Sequence, residues 1–136
     1  MFLKKILLAL LLYVGMASAD SNLTIYSDYN TTIELAKKEN KPVFILFSKE
    51  KCKWCKKLKS EMLTKNEIEQ KLQSDYLVLF LDKEKDDYPS SYKVEAVPAV
   101  FLISPEEEVY TKIIGYHAKP RAYLKWFHYV EIERED

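Results

Sequence analysis

The sequence predicts an α/β fold: a mixed, centrally buried sheet with helices on both faces. Three observations carry this. Two continuous apolar runs, "VFILFS" (43–48) and "YLVLFLD" (76–82), have the length and composition of strands covered on both sides. Each follows a segment with helical signals, so they are read as parallel strands joined by crossover helices. Beyond them, "PAVFLIS" (98–104) and "VYTKIIG" (109–115) are separated only by "PEEE", which fits an antiparallel hairpin. The expected order is βαβαβ, an irregular crossover, then ββα.

The elements follow in turn. "LTIYS" (23–27) is a weak first strand. "NTTIELAKKEN" (30–40) is a helix: Thr31 and Glu34 stand at capping-box spacing, and Ile33, Leu35 and Ala36 incline to one face. Pro42 ends it, because proline cannot continue a helix. After the 43–48 strand, "KEKCKWCKKLKSEML" turns into a second helix with Cys55, Leu58 and Met62 at i, i+3 and i+7. Lys51, Lys53, Lys56, Lys57 and Lys59 lie mostly off that face. A break near Thr64 precedes another helical piece, "NEIEQKLQ" (66–73). "KEKDDYPSSYKVEA" (83–96) is polar and irregular, with a short helix around Pro89 to Tyr92. The last helix opens at "AKPRAYLKWFHYV": Pro120 suits its first turn, and Tyr123, Trp126, Phe127 and Val130 form its apolar stripe.

The chain of 136 residues is long enough for one domain. Its 21 basic and 21 acidic side chains balance, which argues against nucleic acid as a partner. Two glycines in all leave no glycine-rich phosphate cradle. The N-terminus has the form of an export signal. Lys4 and Lys5 precede a short apolar core, and small residues at Ala17 and Ala19 place cleavage before Asp20. The apolar run from Ile6 to Ala19 is 14 residues, short of the roughly 20 that a membrane span needs. Residues 1–19 are therefore read as a signal peptide and residues 20–136 as the domain. A retained N-terminal anchor is the other reading of the same segment.

Cys52 and Cys55 are the only cysteines. An exported protein usually spends cysteines as staples, but a bridge across three residues closes too short a loop to constrain the unfolded chain much. Cys52 stands where a buried strand turns into a helix. There, unpaired backbone N–H groups and the helix dipole favour a thiolate, lowering the pKa from about 8.5 toward a range of about 3.5–7.5. Cys55, one turn on and on the apolar face, should be buried. That asymmetry suits dithiol exchange: Cys52 attacks a disulfide, and Cys55 resolves the mixed disulfide. Two alternatives stand beside it. Zinc takes about four ligands, and only His117 and His128 remain to add, too far apart for a finger. The other is a pair of inert core cysteines, which sits poorly with the charged setting of Cys52.

Together, "VFILFS", "CKWC" opening a helix, "LVLFLD", "VEAVPAVFLI" and Gly115 after the next strand resemble the thioredoxin superfamily over residues 23 to 132. The resemblance implies a thioredoxin fold, a cis Val97–Pro98 bond against the cysteine pair, and Val97 pairing its backbone with a substrate chain. Within the superfamily, Cys-Lys-Trp-Cys-Lys is similar to small exported thioredoxin-like proteins and to the periplasmic C-terminal domain of the transmembrane disulfide reductase. Those proteins mostly serve reductive or repair pathways. Two departures stand out. The family often has a buried acid six residues before the first cysteine; here Leu46 stands there, leaving water or a carboxylate such as Glu50 to serve. Lys53–Trp54 replaces Gly-Pro between the cysteines.

The expectation is a periplasmic thiol:disulfide oxidoreductase, biased toward reducing protein disulfides, with no cofactor beyond its own dithiol. Cys52 and Cys55 carry the chemistry; Val97, Pro98, Trp54 and Lys53 contact the substrate. Its partners are disulfide-bonded proteins and an upstream membrane electron donor, and it is expected to act as a monomer. A dithiol oxidase, a redox-inert binding or chaperone module, and an electron carrier for one partner are the rivals. His117 is placed near the rim or beside a turn in solvent, His128 in a structural position, and Glu106–Glu108 in a solubilising turn.

Overall fold

The computed structural model describes residues 23–136. The signal peptide read in residues 1–19, and its cleavage point, lie outside these. The described chain runs β1 (Ile25–Tyr26), α1 (Tyr29–Glu39), β2 (Val43–Ser48), α2 (Lys53–Lys57, continuing as a π-helical turn over Leu58–Met62) and α3 (Asn66–Asp75). There follow β3 (Leu77–Asp82), a 3-10 turn (Ser90–Tyr92), β4 (Ala99–Ile103), β5 (Val109–Ile114) and α4 (Pro120–Glu135). The strands form one sheet in the order β1-β3-β2-β4-β5. β1 and β2 run parallel to β3, whereas β4 is antiparallel to both β2 and β5. This is the mixed α/β architecture expected, with β2 at its centre.

Period two explains why β2 is apolar throughout. Phe44 and Leu46 point into one core, with Leu58, Met62, Ile68, Tyr123 and Phe127 from the helices of that face. Val43, Ile45 and Phe47 point into the other, with Tyr29, Ile33, Ala36 and Tyr92. Phe47 is boxed by the ring edges of Tyr88 and Phe101 at 4.8 and 5.2 Å. Each face of the strand thus removes its own set of side chains from water, and each core stabilises the same central backbone.

Local signals place the helices, with one correction. The cap of α1 is Asp28, not Thr31: the Asp28 carboxylate accepts the Thr31 N–H at 2.8 Å. Tyr29 and Thr32 are buried in the core face, so the helix begins three residues earlier than the capping-box spacing suggests. Asn40, at φ 51, ends it in the left-handed region that asparagine tolerates. The π turn was not expected. Its wider bonding, with Leu63 N–H donating to Leu58 O at 3.0 Å, lets Leu58, Met62 and Leu63 all reach the core. In α4 Pro120 occupies the first turn, and Tyr123, Phe127 and Val130 are buried as the stripe required, with Trp126 half-buried. His128 departs from expectation: its side chain is exposed and meets Glu131 at 3.3 Å.

Candidate active site

The register of the sheet brings the distant motifs to one end. β2 ends at Ser48, beside Asp82 of β3, and the loop from it reaches Cys52. On its other side Phe47 pairs with Ala99, so Pro98 leaves β4 at the same sheet end. Ala99 in turn pairs with Ile114, the last residue of β5. Gly115, at φ +83, turns the chain there, and its N–H donates to Pro98 O at 2.8 Å. That left-handed turn is the reason for glycine at this position. Three segments, 49–57, 94–98 and 115–117, therefore form one rim.

Cys52 caps α2. Its backbone is extended, its sulfur accepts the Cys55 N–H at 3.1 Å, and it is partly exposed. Cys55 is buried, 2% exposed, and the two are joined by a disulfide with Cα atoms 5.2 Å apart. The geometry gives the asymmetry read from the sequence: an outer sulfur that a partner can reach and an inner one shielded by core. Lys51, at φ 57, bends the loop just before Cys52. Among the described residues no group of three or more His, Cys, Asp or Glu is arranged to hold a metal ion.

The Val97–Pro98 bond is cis, with Pro98 buried and Val97 half-buried. The loop before it is tied back to the sheet end, because the Lys83 ammonium donates to Glu95 O at 3.1 Å. Lys83 N–H in turn donates to Ser48 O at 2.8 Å, coupling the end of β2 to the loop that carries Val97. A groove of about 360 Å³ borders the same loop, lined by Val94, Ala96, Ala99, Phe101, Lys112 and Ile114.

Leu46 is fully buried beneath α2. Glu50 does not take the place of an acid there: it is exposed and paired with Lys85. The polar group that does reach under the helix is Ser48, 7% exposed, which accepts from Lys59 at 3.4 Å while that ammonium lies 5.1 Å over the Phe80 ring. Trp54 lies at the surface, outside the two cores. It is 49% exposed and stacks on Tyr116, with Lys53 near its ring. Tyr116 had no signal of its own beyond standing next to the turn glycine. His117 lies at the rim but turns to α4: its backbone N–H donates to the Tyr123 hydroxyl at 3.2 Å, and its ring meets the Trp126 edge at 5.0 Å. Glu107, in the β4–β5 turn, is more than solubilising. Its carboxylate accepts from the Tyr29 hydroxyl at 2.7 Å, and Tyr29 also bonds Tyr92. Burial first, and those bonds next, hold the Tyr29 phenol far above its ordinary range, so it stays neutral.

A Cys-x-x-Cys disulfide at the start of a helix, entered from a central strand and sharing its sheet end with a cis-proline, defines a thioredoxin fold with a thiol–disulfide pair. The chain belongs to the thioredoxin-like family: the family model described as "Thioredoxin-like domain" matches residues 29–131. Among curated proteins it is similar to Anterior gradient protein 3 of Mus musculus, 30% identical over 94 residues. That match takes in 69% of this chain but 57% of the relative, so the chain spans little more than half its length. Among solved structures, a thioredoxin from Thermus thermophilus superposes with a TM-score of 0.70 at 20% identity, covering 82% of this chain and 88% of that one. The DsbD C-terminal domain of Neisseria meningitidis, in its oxidised form, gives 0.62 at 19% identity, covering 77% and 97%. At such identities the two structures speak to the fold.

Proposed function

We propose that the protein is an exported thiol:disulfide oxidoreductase that reduces disulfides in partner proteins. The observation that carries the chemistry is the disulfide itself, with Cys52 partly exposed at a helix start and Cys55 buried behind it. In the reduced enzyme, Cys52 as thiolate attacks one sulfur of a partner disulfide, forming a mixed disulfide and releasing the partner's other sulfur as a thiolate. Cys55, deprotonated, then attacks Cys52, which regenerates the enzyme disulfide and frees the second partner thiol. Two electrons pass from the dithiol to the partner. A dithiol donor, read as a membrane protein, restores them, and no other cofactor is needed. Val97 and Pro98 dock the partner segment, while Lys53 and Trp54 touch it. The reductive direction is supported by the similarity of Cys-Lys-Trp-Cys-Lys to exported reductive proteins. Export to the periplasm, by a cleaved signal or with the N-terminus kept as an anchor, is supported by residues 1–19.

One observation favours a second reading, an oxidase. The Cys55 N–H aimed at Cys52 sulfur, among lysines, stabilises negative charge on that sulfur and hence the reduced enzyme. Potential separates the two: about −270 mV marks a reductant and about −120 mV an oxidant. The test of the chemistry is substitution. Cys52→Ser should abolish reduction of a protein disulfide, and Cys55→Ser should accumulate mixed disulfides visible on non-reducing gels. Full activity of Cys52→Ser would overturn the mechanism.

A further inference from the structure

Beside the dithiol, Trp54 and Lys53 belong to a wider surface that takes in Tyr116 and Lys57. Trp54 and Tyr116 stack with centroids 5.6 Å apart and planes 25° from parallel. Even so, Trp54 remains 49% exposed. The Lys57 ammonium sits 5.2 Å from the Trp54 ring and 5.3 Å from the Tyr116 ring, and Lys53 sits 5.5 Å from Trp54. Both ammonium groups keep charge to offer: among the described residues Lys53 forms no ion pair, and the ion pair of Lys57 with Glu61 is long, at 3.9 Å. The chain as a whole carries no net charge, so this concentration is local to the rim.

Such a surface has a definite complement. A carboxylate approaching here meets two ammonium groups side by side, each held near an aromatic face. The flat exposed ring offers apolar area to a side chain of the same approaching segment. Gly115, whose N–H holds Pro98 O, fixes Tyr116 one residue from the segment expected to dock the partner backbone. A chain lying along Val97 and Pro98 with its disulfide at Cys52 would pass over the stacked pair.

We propose that Trp54, Tyr116, Lys53 and Lys57 are specificity-determining residues that select partner proteins whose disulfide is flanked by acidic residues, with an apolar side chain of that segment laid on the stacked rings. The inference rests on Cys52 and Cys55 meeting a partner's disulfide, and its test is kept separate from exchange. Two peptides are cyclised through a thioether, so that no exchange is possible. They are identical except for Glu or Lys on either side of the bridge. Each is titrated calorimetrically into the oxidised full-length protein at low and high salt. The Glu peptide should bind at least about tenfold tighter at low salt, and the gap should shrink as salt screens the contact. Trp54→Ala should weaken both peptides, and the double variant Lys53→Glu, Lys57→Glu should reverse the preference. These side chains sit at the surface, so the variants keep the core. Equal affinities, no binding of either peptide, or a preference that survives charge reversal would overturn the proposal. So would binding to phosphatidylglycerol vesicles without binding to the Glu peptide. Reduction of a small aromatic disulfide by the dithiol form, measured alongside, tests the exchange reading on its own.

Discussion

At Leu46 the sequence and the packing agree on a cost as well as a role. The side chain is fully buried and shares a core with Leu58 and Met62, directly behind the helix that carries the cysteines. Replacing it by an acid, as the resemblance to thioredoxins invites, puts a carboxyl among hydrocarbon. Burial disfavours the charged form, so that carboxyl would titrate above the unfolded value of about 3.9. The sign follows: the charged form is favoured in the unfolded chain, so the penalty grows as pH rises from about 4 through the raised folded value. Leu46→Asp is expected to lose at least about 3 kcal/mol at pH 7 and less at pH 4, by urea unfolding at both. Equal losses would mean that the position takes up water, and that α2 is not sealed against β2.

Elements were legible where their signals are local. β2 begins after Pro42 and ends at Ser48 as read, because an apolar run bounded by a proline and a lysine loop leaves little choice. The start of α1 lies within one residue of the reading, but its cap is Asp28 and not Thr31: both are competent caps, and the burial of Tyr29 and Thr32 decides between them. The π turn of α2 had no sequence signal, since choosing a bond to i+5 over i+4 depends on what the sheet can receive. Cys52 and Cys55 were readable from motif and setting, and Pro98 from the resemblance to thioredoxins, whereas the stacking of Trp54 on Tyr116 joins residues far apart in sequence and needs the sheet register to be known. The α1 cap gives a test at this scale. The side-chain and backbone bonds with Thr31 hold the Asp28 carboxyl below its ordinary value. Stability from a depressed carboxyl is present above the unfolded value of about 3.9 and is lost as pH falls through the folded one. Asp28→Ala should therefore lower Tm at neutral pH, and the gap to the unaltered protein should narrow in acid. A gap that stays constant down to pH 2 would remove the cap from the account of α1.

For the molecule as a whole, fold and redox state are linked through one cycle. The folding stability of the oxidised form minus that of the reduced form equals the difference between making the disulfide in the folded chain and making it in the unfolded chain. A fold that favours the dithiol makes the protein an oxidant, and one that favours the disulfide makes it a reductant. The bridge joins cysteines three positions apart, so chain entropy alone supplies no more than about 2 kcal/mol to the oxidised form. Against it stands the Cys55 N–H aimed at the Cys52 sulfur, which is stronger for a thiolate than for a disulfide sulfur. The reductive reading requires that the first effect is not outweighed. Urea unfolding with the pair oxidised, and again with it held reduced by excess dithiothreitol, measures the balance directly. The oxidised form is expected to be at least as stable as the reduced form. A reduced form more stable by about 1.4 kcal/mol would mean a potential about 30 mV more oxidising than that of the unfolded chain, and still larger differences would turn the proposed direction of electron flow toward oxidation.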